Sequence, residues 1–399
     1  MMKNSPLLYL LVFLMACATA KTPPSETTSA PSPLAPHIEA VRQQFAPDKR
    51  TVLFQVSPHG QVLRGETNTP AAKAALLARL TSAGIPFQDS IQVLPEASLQ
   101  GKHFAVVTLS VANLRSEPKH PAELATQATM GTPLNVYKYK DGWYLVQTPD
   151  KYLSWVDAAG IKLLDAAGFA GWQQKEKLLY TQLFGFAQAT AQPQSATVSD
   201  LVYGDVLALK NKTKAWYEVE FPDGRTGFVP VADAVLYKDW VASRQPTEEN
   251  LVASAKRLMG LPYLWGGTSL KGVDCSGFTK TVYFMNGLVL PRDASQQVHV
   301  GELLDTQNGF QNLRPGDLLF FGVPGKDGKA ERVVHVGMWI GNHEFIHSAG
   351  RVRISSMDPK AANFDAYELN RFLRAKRIPA QATLQDLRTS ALYEAHAVK

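Results

Sequence analysis

Only two cysteines occur in 399 residues, and one of them, Cys275, opens a helix-like segment upstream of two strand-like runs holding His335 and His347. That order constrains the fold more than any other feature of the chain. The stretch Val273-Asp274-Cys275-Ser276-Gly277-Phe278 continues into Thr279-Lys280-Thr281-Val282. Phe278 and Val282 are spaced as on one helix face, with Asp274 near the cap. A cysteine there sits at the positive end of the peptide dipole, which favours thiolate over thiol. Val333 to Trp339 and Phe345 to Ser348 are apolar runs, each around a single histidine. A helix bearing a cysteine, followed by antiparallel strands bearing histidines, is an α+β arrangement.

Each of these residues has a plain explanation when taken alone. A lone thiol is often a small buried apolar group, and a histidine in an apolar strand is often a satisfied core residue. Together they describe hydrolase chemistry. His335 accepts the proton of Cys275 and returns it to the leaving amine, while His347 bonds the far nitrogen of His335 and fixes its tautomer. Strand geometry adds a constraint. For both rings to share one face of a hairpin, the pairing register must have an even sum, which a plain two-residue turn at Asn342 and His343 does not give. A three-residue loop or a bulge is therefore expected near Gly341 to His343. Zinc is the rival for a Cys-plus-His set, but no close pair has a usual zinc spacing. No metal and no organic cofactor are expected.

The length predicts two to four domains. A charged content of 19% and a hydrophobic content of 45% describe globular bodies. The net charge of +6 comes from scattered Lys and Arg, which argues against a nucleic-acid partner and allows mild attraction to an anionic envelope. Residues 1–17 read as an export signal: Lys3, the apolar core Leu7 to Ala16, then Leu14-Met15-Ala16-Cys17, which resembles a bacterial lipobox. Lipidation at Cys17 would anchor the protein to a membrane in the cell envelope. An ordinary signal peptide with a chance cysteine is the alternative. Residues 18–36, rich in Thr, Pro, Ser and Ala, read as a disordered tether. With Cys17 lipidated, Cys275 has no disulfide partner.

Residues 37–99 suggest a small α/β unit: a helix at His37 to Phe45, strands at Thr51 to Val56 and Gln61 to Thr67, a helix from Pro70 to Ala83 capped by Thr69, and a strand at Phe87 to Leu94. No chemistry is assigned to it. Residues 100–166 hold short apolar runs divided by turn residues, as in a small β-barrel. A second, weaker copy spans 189–240, and 167–188 reads as a connecting helix. Residues 246–378 begin with a helix from Glu248, capped by Thr247, and continue through the cysteine segment to strands at Leu318 to Phe321, Val333 to Ile340, Glu344 to Ser348 and Phe372 to Ile378. Residues 379–399 form a C-terminal tail.

Several ordered motifs carry a family resemblance: Pro262-Tyr263, Trp265-Gly266-Gly267, Asp274 to Phe278, Leu290-Pro291-Arg292, Arg314 to Leu318, and His335-Val336-Gly337. Through them, 246–378 resembles the NlpC family of papain-like murein cysteine peptidases. The two preceding segments, with Val111 to Pro118 and Tyr152 to Val156, resemble bacterial SH3-like domains. The resemblance implies Cys275 as nucleophile, His335 as base, His347 as the orienting residue, and Tyr263 with the Cys275 amide as oxyanion donors. The whole architecture looks like the γ-D-glutamyl-L-diamino acid endopeptidases, which cut free murein stem peptides and require an unblocked N-terminal L-Ala. On that likeness Glu117 and Tyr152 of the first barrel meet the substrate amine, Asp274 and Ser276 assist around the dipeptide, and Trp265 lines the pocket. Glu117 is otherwise a solvated turn residue. A wall-binding SH3-repeat protein with an inactive papain-like domain, and an amidase or acyltransferase on the same scaffold, are the alternatives.

Overall fold

A computed structural model describes residues 32–379 and 383–395; the expected signal segment and Cys17 lie outside the described residues. Among the described residues, no helix is long and apolar enough to cross a membrane.

The N-terminal unit is a three-stranded sheet under two helices, Ala35–Phe45 and Pro70–Ser82. Phe54–His59 and Val62–Thr67 form an antiparallel hairpin, and Gln88–Val93 returns through the second helix to lie parallel to the middle strand. Ala72, Leu76 and Leu80, four apart, bury one stripe of that helix on Leu63 and Ile91. Its cap differs from expectation. Thr69 takes the Ala72 N–H on its backbone carbonyl, while its hydroxyl donates to Asn68 Oδ1. The first helix starts two residues before its expected start because Leu34 is buried against this core.

The first barrel is a seven-stranded sheet in the order Ile161–Leu164, Phe104–Val107, Pro133–Lys140, Trp143–Gln147, Leu153–Asp157, Val111–Arg115, Leu124–Thr129. Thr108–Ser110 separate Phe104–Val107 from Val111–Arg115. Leu124–Thr129 escaped the sequence reading because Leu-Ala-Thr-Gln-Ala-Thr has no apolar alternation. Its polar Thr126 and Gln127 are buried all the same, Gln127 against the last unit. The second seven-stranded sheet starts at Lys177, earlier than expected. The connecting helix stops at Gln174, and Lys177–Tyr180 and Phe184–Gln188 are strands. Lys177–Tyr180 is buried at all four positions and paired on both edges, so tertiary pairing outweighs its helix-like pattern.

The last unit packs Glu248–Arg257 and Cys275–Met285 on a six-stranded antiparallel sheet, ordered Glu302–Leu304, Phe372–Arg377, Leu318–Val323, Arg332–Gly341, Glu344–Ala349, Arg351–Ser356. Thr247 caps the first helix by accepting from the Asn250 N–H. Residues 383–395 of the expected tail are part of the body. Gln385–Asp386 pairs with Leu288–Val289, and Leu387 and Tyr393 are buried.

The histidine hairpin carries the expected irregularity. Met338 faces Ile346 and Trp339 faces Phe345, but Gly341 faces Glu344, so Ile340 bulges out. Asn342 and His343 turn the chain with φ of 51° and 59°. The bulge converts the odd register at the turn into the even one that places both rings on the same face.

Candidate active site

Asp274 is the N-cap of Cys275–Met285, its Oδ1 accepting from the Gly277 N–H at 2.7 Å. Cys275 is therefore the first residue of the helix, as the sequence implies. The backbone N–H of Val336, the residue after His335, lies near enough to its sulfur to favour the charged form, so the helix start faces the histidine strand. His335 Nε2 lies 2.8 Å from His347 Nδ1, with the rings edge to face, and His347 Nε2 lies 3.0 Å from Ser355 Oγ. Phe321 and Phe345 pack against the imidazoles. Gly337 has a specific reason to be glycine, since a Cβ there would come within 3.2 Å of His347 Cβ and 2.9 Å of the Phe345 ring.

The resting charge state differs from the thiolate expected at a helix N-terminus. Burial pushes the Cys275 thiol up to about 12, and the adjacent Asp274 carboxylate acts in the same direction; the N–H groups of Val336 and Ser276 oppose this only in part. Burial, and then His347, hold His335 well below the usual imidazole range. Burial likewise pushes His347 down to about 4. The free site thus rests as neutral thiol and neutral imidazole, because full desolvation outweighs the helix end. Such a pair works by general-base transfer as the sulfur attacks.

Burial first, then its neighbours Cys275 and Asp274, push the Tyr263 phenol up to about 12, so it stays protonated and can donate. Asp274 is saturated. Besides the Gly277 N–H, it accepts from Arg292 at 3.1 and 2.6 Å, from the Gly266 N–H at 3.0 Å and from Ser276 Oγ at 3.2 Å. Arg292, 2% exposed, also donates to Ser276 Oγ at 3.0 Å. Asp274 and Ser276 are thus first of all a buried network around the nucleophile.

Besides the Gln127 contacts, the first barrel meets the last unit around Tyr152 and Trp265. Tyr152 is buried, with its hydroxyl donating to Asp293 Oδ2 at 3.1 Å. Trp265, 63% exposed, donates from Nε1 to Glu123 at 2.7 Å. Glu117, by contrast, pairs with Lys119 at the surface, whereas Glu123 contacts the last unit directly through Trp265. The N-terminal unit also reaches this region. Arg50 donates to Asp293 Oδ2 and Ser295 Oγ, both at 2.8 Å, and Gln296 donates to Asp48 at 2.7 Å. Arg292 could be found in the sequence only as part of a motif. Glu123 and Arg50 carry no spacing signal, since their partners lie in distant segments, and Ser355 meets His347 only through the pairing of neighbouring strands.

His335, His347 and Glu368 offer ligand atoms within 4.8 Å of one another. Their geometry does not fit an ion. The two imidazole nitrogens sit at hydrogen-bond distance, closer than the roughly 3.3 Å between two ligands on a tetrahedral zinc with ~2.0 Å bonds. Both Glu368 oxygens accept from Arg371, at 2.8 and 2.7 Å.

Comparison with known proteins agrees with this geometry. Residues 260–367 match the NlpC/P60 family, and residues 114–161 match the bacterial dipeptidyl-peptidase Sh3 domain. The chain is 30% identical over 242 residues to a gamma-D-glutamyl-L-lysine dipeptidyl-peptidase of Bacillus cereus, covering 57% of this chain and 67% of that protein. It is 27% identical to dipeptidyl-peptidase 6 of Lysinibacillus sphaericus, covering 64% of this chain and 92% of that protein. A solved NlpC/P60 family protein from Bacillus cereus shares the fold, with a TM-score of 0.58 at 24% identity, over 69% of this chain and 100% of that one. A buried cysteine at a helix start, a histidine pair on the facing sheet and this match along the chain have one common explanation: the protein belongs to the NlpC/P60 family and is a cysteine-type peptidase.

Proposed function

We propose that this peptidase hydrolyses the γ-D-glutamyl to diamino acid bond of murein stem peptides bearing a free N-terminal L-Ala. The observation that carries the reading is the 2.8 Å bond between His335 and His347, set on the strand against which the helix of Cys275 packs. Cys275 attacks the scissile carbonyl as His335 takes its proton. The tetrahedral adduct collapses to a thioester, expelling the amine of the diamino acid, to which His335 returns the proton; water then hydrolyses the thioester and releases the dipeptide. His347 orients His335. The Tyr263 hydroxyl and the Cys275 amide steady the oxyanion.

Similarity to the gamma-D-glutamyl-L-lysine dipeptidyl-peptidase of Bacillus cereus supports a γ-D-glutamyl bond as the target. The buried Asp274, Ser276 and Arg292 network beside the nucleophile, closed on one side by Tyr152 and Asp293, supports a site that ends shortly before the scissile bond, on the side of the substrate amine. A carboxylate at that end accepts an ammonium and excludes a longer chain, whose neutral amide leaves the acid desolvated and unpaired. Of the two barrel acids, contact with Trp265 favours Glu123 over Glu117. Trp265 supplies an exposed face for the dipeptide. Export and lipidation at Cys17 are part of the same reading and place the enzyme in the cell envelope.

The test is incubation with L-Ala-γ-D-Glu-diaminopimelate and with its N-acetylated form. Cleavage of the free peptide alone supports the reading. Equal cleavage removes the amine requirement, and absence of any thiol-dependent cleavage removes the substrate assignment. Mass analysis of the mature N-terminus tests the lipid.

A further inference from the structure

The hydrogen-bond chain at the histidines does not stop at His347. Ser355 Oγ, which meets His347 Nε2 at 3.0 Å, is also 3.2 Å from Asp365 Oδ2. Asp365 is the N-cap of Ala366–Asn370, taking the Glu368 N–H on Oδ1 at 3.1 Å, and Arg353 donates to Oδ2 at 3.3 Å. Each of these groups donates to Asp365, as to a carboxylate.

We propose that Asp365, acting through Ser355, sets the tautomers of both histidines and thereby leaves Nδ1 of His335 as the base. The argument is a count of protons. An ionised carboxylate only accepts, so the single Ser355 hydroxyl proton points to Asp365. Ser355 Oγ must then accept from His347, which places the proton of that ring on Nε2 and leaves its Nδ1 bare. A bare Nδ1 at 2.8 Å from His335 Nε2 requires the His335 proton to sit on Nε2. Both rings are neutral when buried this deeply, so Nδ1 of His335 carries the free lone pair. A second observation points the same way: Glu368 Oε1 lies 3.7 Å from His335 Nε2 and favours a proton on that atom. Asp365 is a positioning residue. It touches neither the sulfur nor the substrate, and the two residues between it and the base transmit its preference.

The inference rests on His335 being the base of the proposed reaction, and the experiment separates the two. Ring tautomers are read by long-range ¹H–¹⁵N correlation on the full chain labelled at histidine, without substrate. The native protein is expected to show Nε2–H on both rings. In Asp365→Asn the amide oxygen stays with the Glu368 N–H, which turns the NH2 towards Ser355. The serine proton then swings to His347, and both rings move to the Nδ1–H form. The cap is kept, because Asn caps helices as well as Asp. With the base blocked, kcat is expected to fall about 100-fold at unchanged KM, less than the ~10⁴ seen when a directly bonded orienting acid is lost. Ser355→Ala is expected to give mixed tautomers, and Ser355→Thr, which keeps the hydroxyl, to restore the native pattern. Native tautomers and native kcat in Asp365→Asn would overturn the proposal, as would a lowered melting temperature with native tautomers. If the tautomers switch but the wild-type enzyme cleaves no stem peptide, the functional reading falls and this inference stands.

Discussion

Gly277→Ala tests how closely the nucleophile is held. Gly277 lies in the first turn of Cys275–Met285 with ordinary helical backbone, so its role is close approach. A Cβ there would stand 1.9 Å from the carbonyl oxygen of Gly267 and 3.1 Å from Asp274 Oδ1. Real Cβ atoms essentially never approach below 3.0 Å, so either the helix start or the Gly266–Gly267 loop must retreat by about 1 Å. Both alternatives disturb the site, since the helix carries Cys275 and the loop carries the Gly266 N–H that holds Asp274. A displacement of that size typically costs about 10²-fold in rate, or about 2.7 kcal/mol of barrier. The assay is kcat on the free stem peptide alongside a urea unfolding curve. The expected result is a kcat reduced about 100-fold, with overpacking removing about 1 to 3 kcal/mol of stability. Native kcat and native stability together would refute the reasoning, because no flexible side-chain tip is present to give way.

Arg292→Met removes the partner of a buried carboxylate; unfolding is expected to become easier by about 3 to 5 kcal/mol, and a loss below about 1 would show that Asp274 is held by its other donors. Stability should fall as pH drops from 6.5 to 4, because unfolded His347 binds a proton near 6.5 while the folded ring resists it to about 4. At about 1.4 kcal/mol per pH unit that ring alone contributes a loss of about 3 kcal/mol. His347→Gln should flatten the urea-midpoint profile across the window, and an unchanged slope would contradict this assignment. Glu123→Gln is expected to lower kcat/KM on the free-amine peptide about ten- to a hundredfold, as for a lost bond to a charged group, and Glu117→Gln to change it less than about twofold. The reverse order would return the role to Glu117.

The catalytic unit was legible because its chemistry coincides with local pattern. Asp274 and Cys275 mark a helix start, and the parity of His335 and His347 alone demanded the bulge now seen at Ile340. The charge state was not legible. A helix end argues for an ionised sulfur, but only the packing of Val336 and the sheet reveals how completely Cys275 is desolvated. Strands such as Leu124–Thr129 and Arg351–Ser356 were missed because their polar residues are used against other segments. Lys177–Tyr180 was misread since a short apolar run suits a helix and a doubly paired strand equally well.

Arg50 links three separately folded pieces: its side chain binds Asp293, its carbonyl accepts the Leu153 N–H at 2.7 Å, and it sits on the N-terminal unit. During synthesis that unit and both barrels leave the ribosome before Cys275 does. The platform on which Asp293 docks therefore already exists when the thiol-bearing helix emerges. The thiol-bearing helix thus meets a docking surface made by earlier segments before the histidine strands that follow it in the chain.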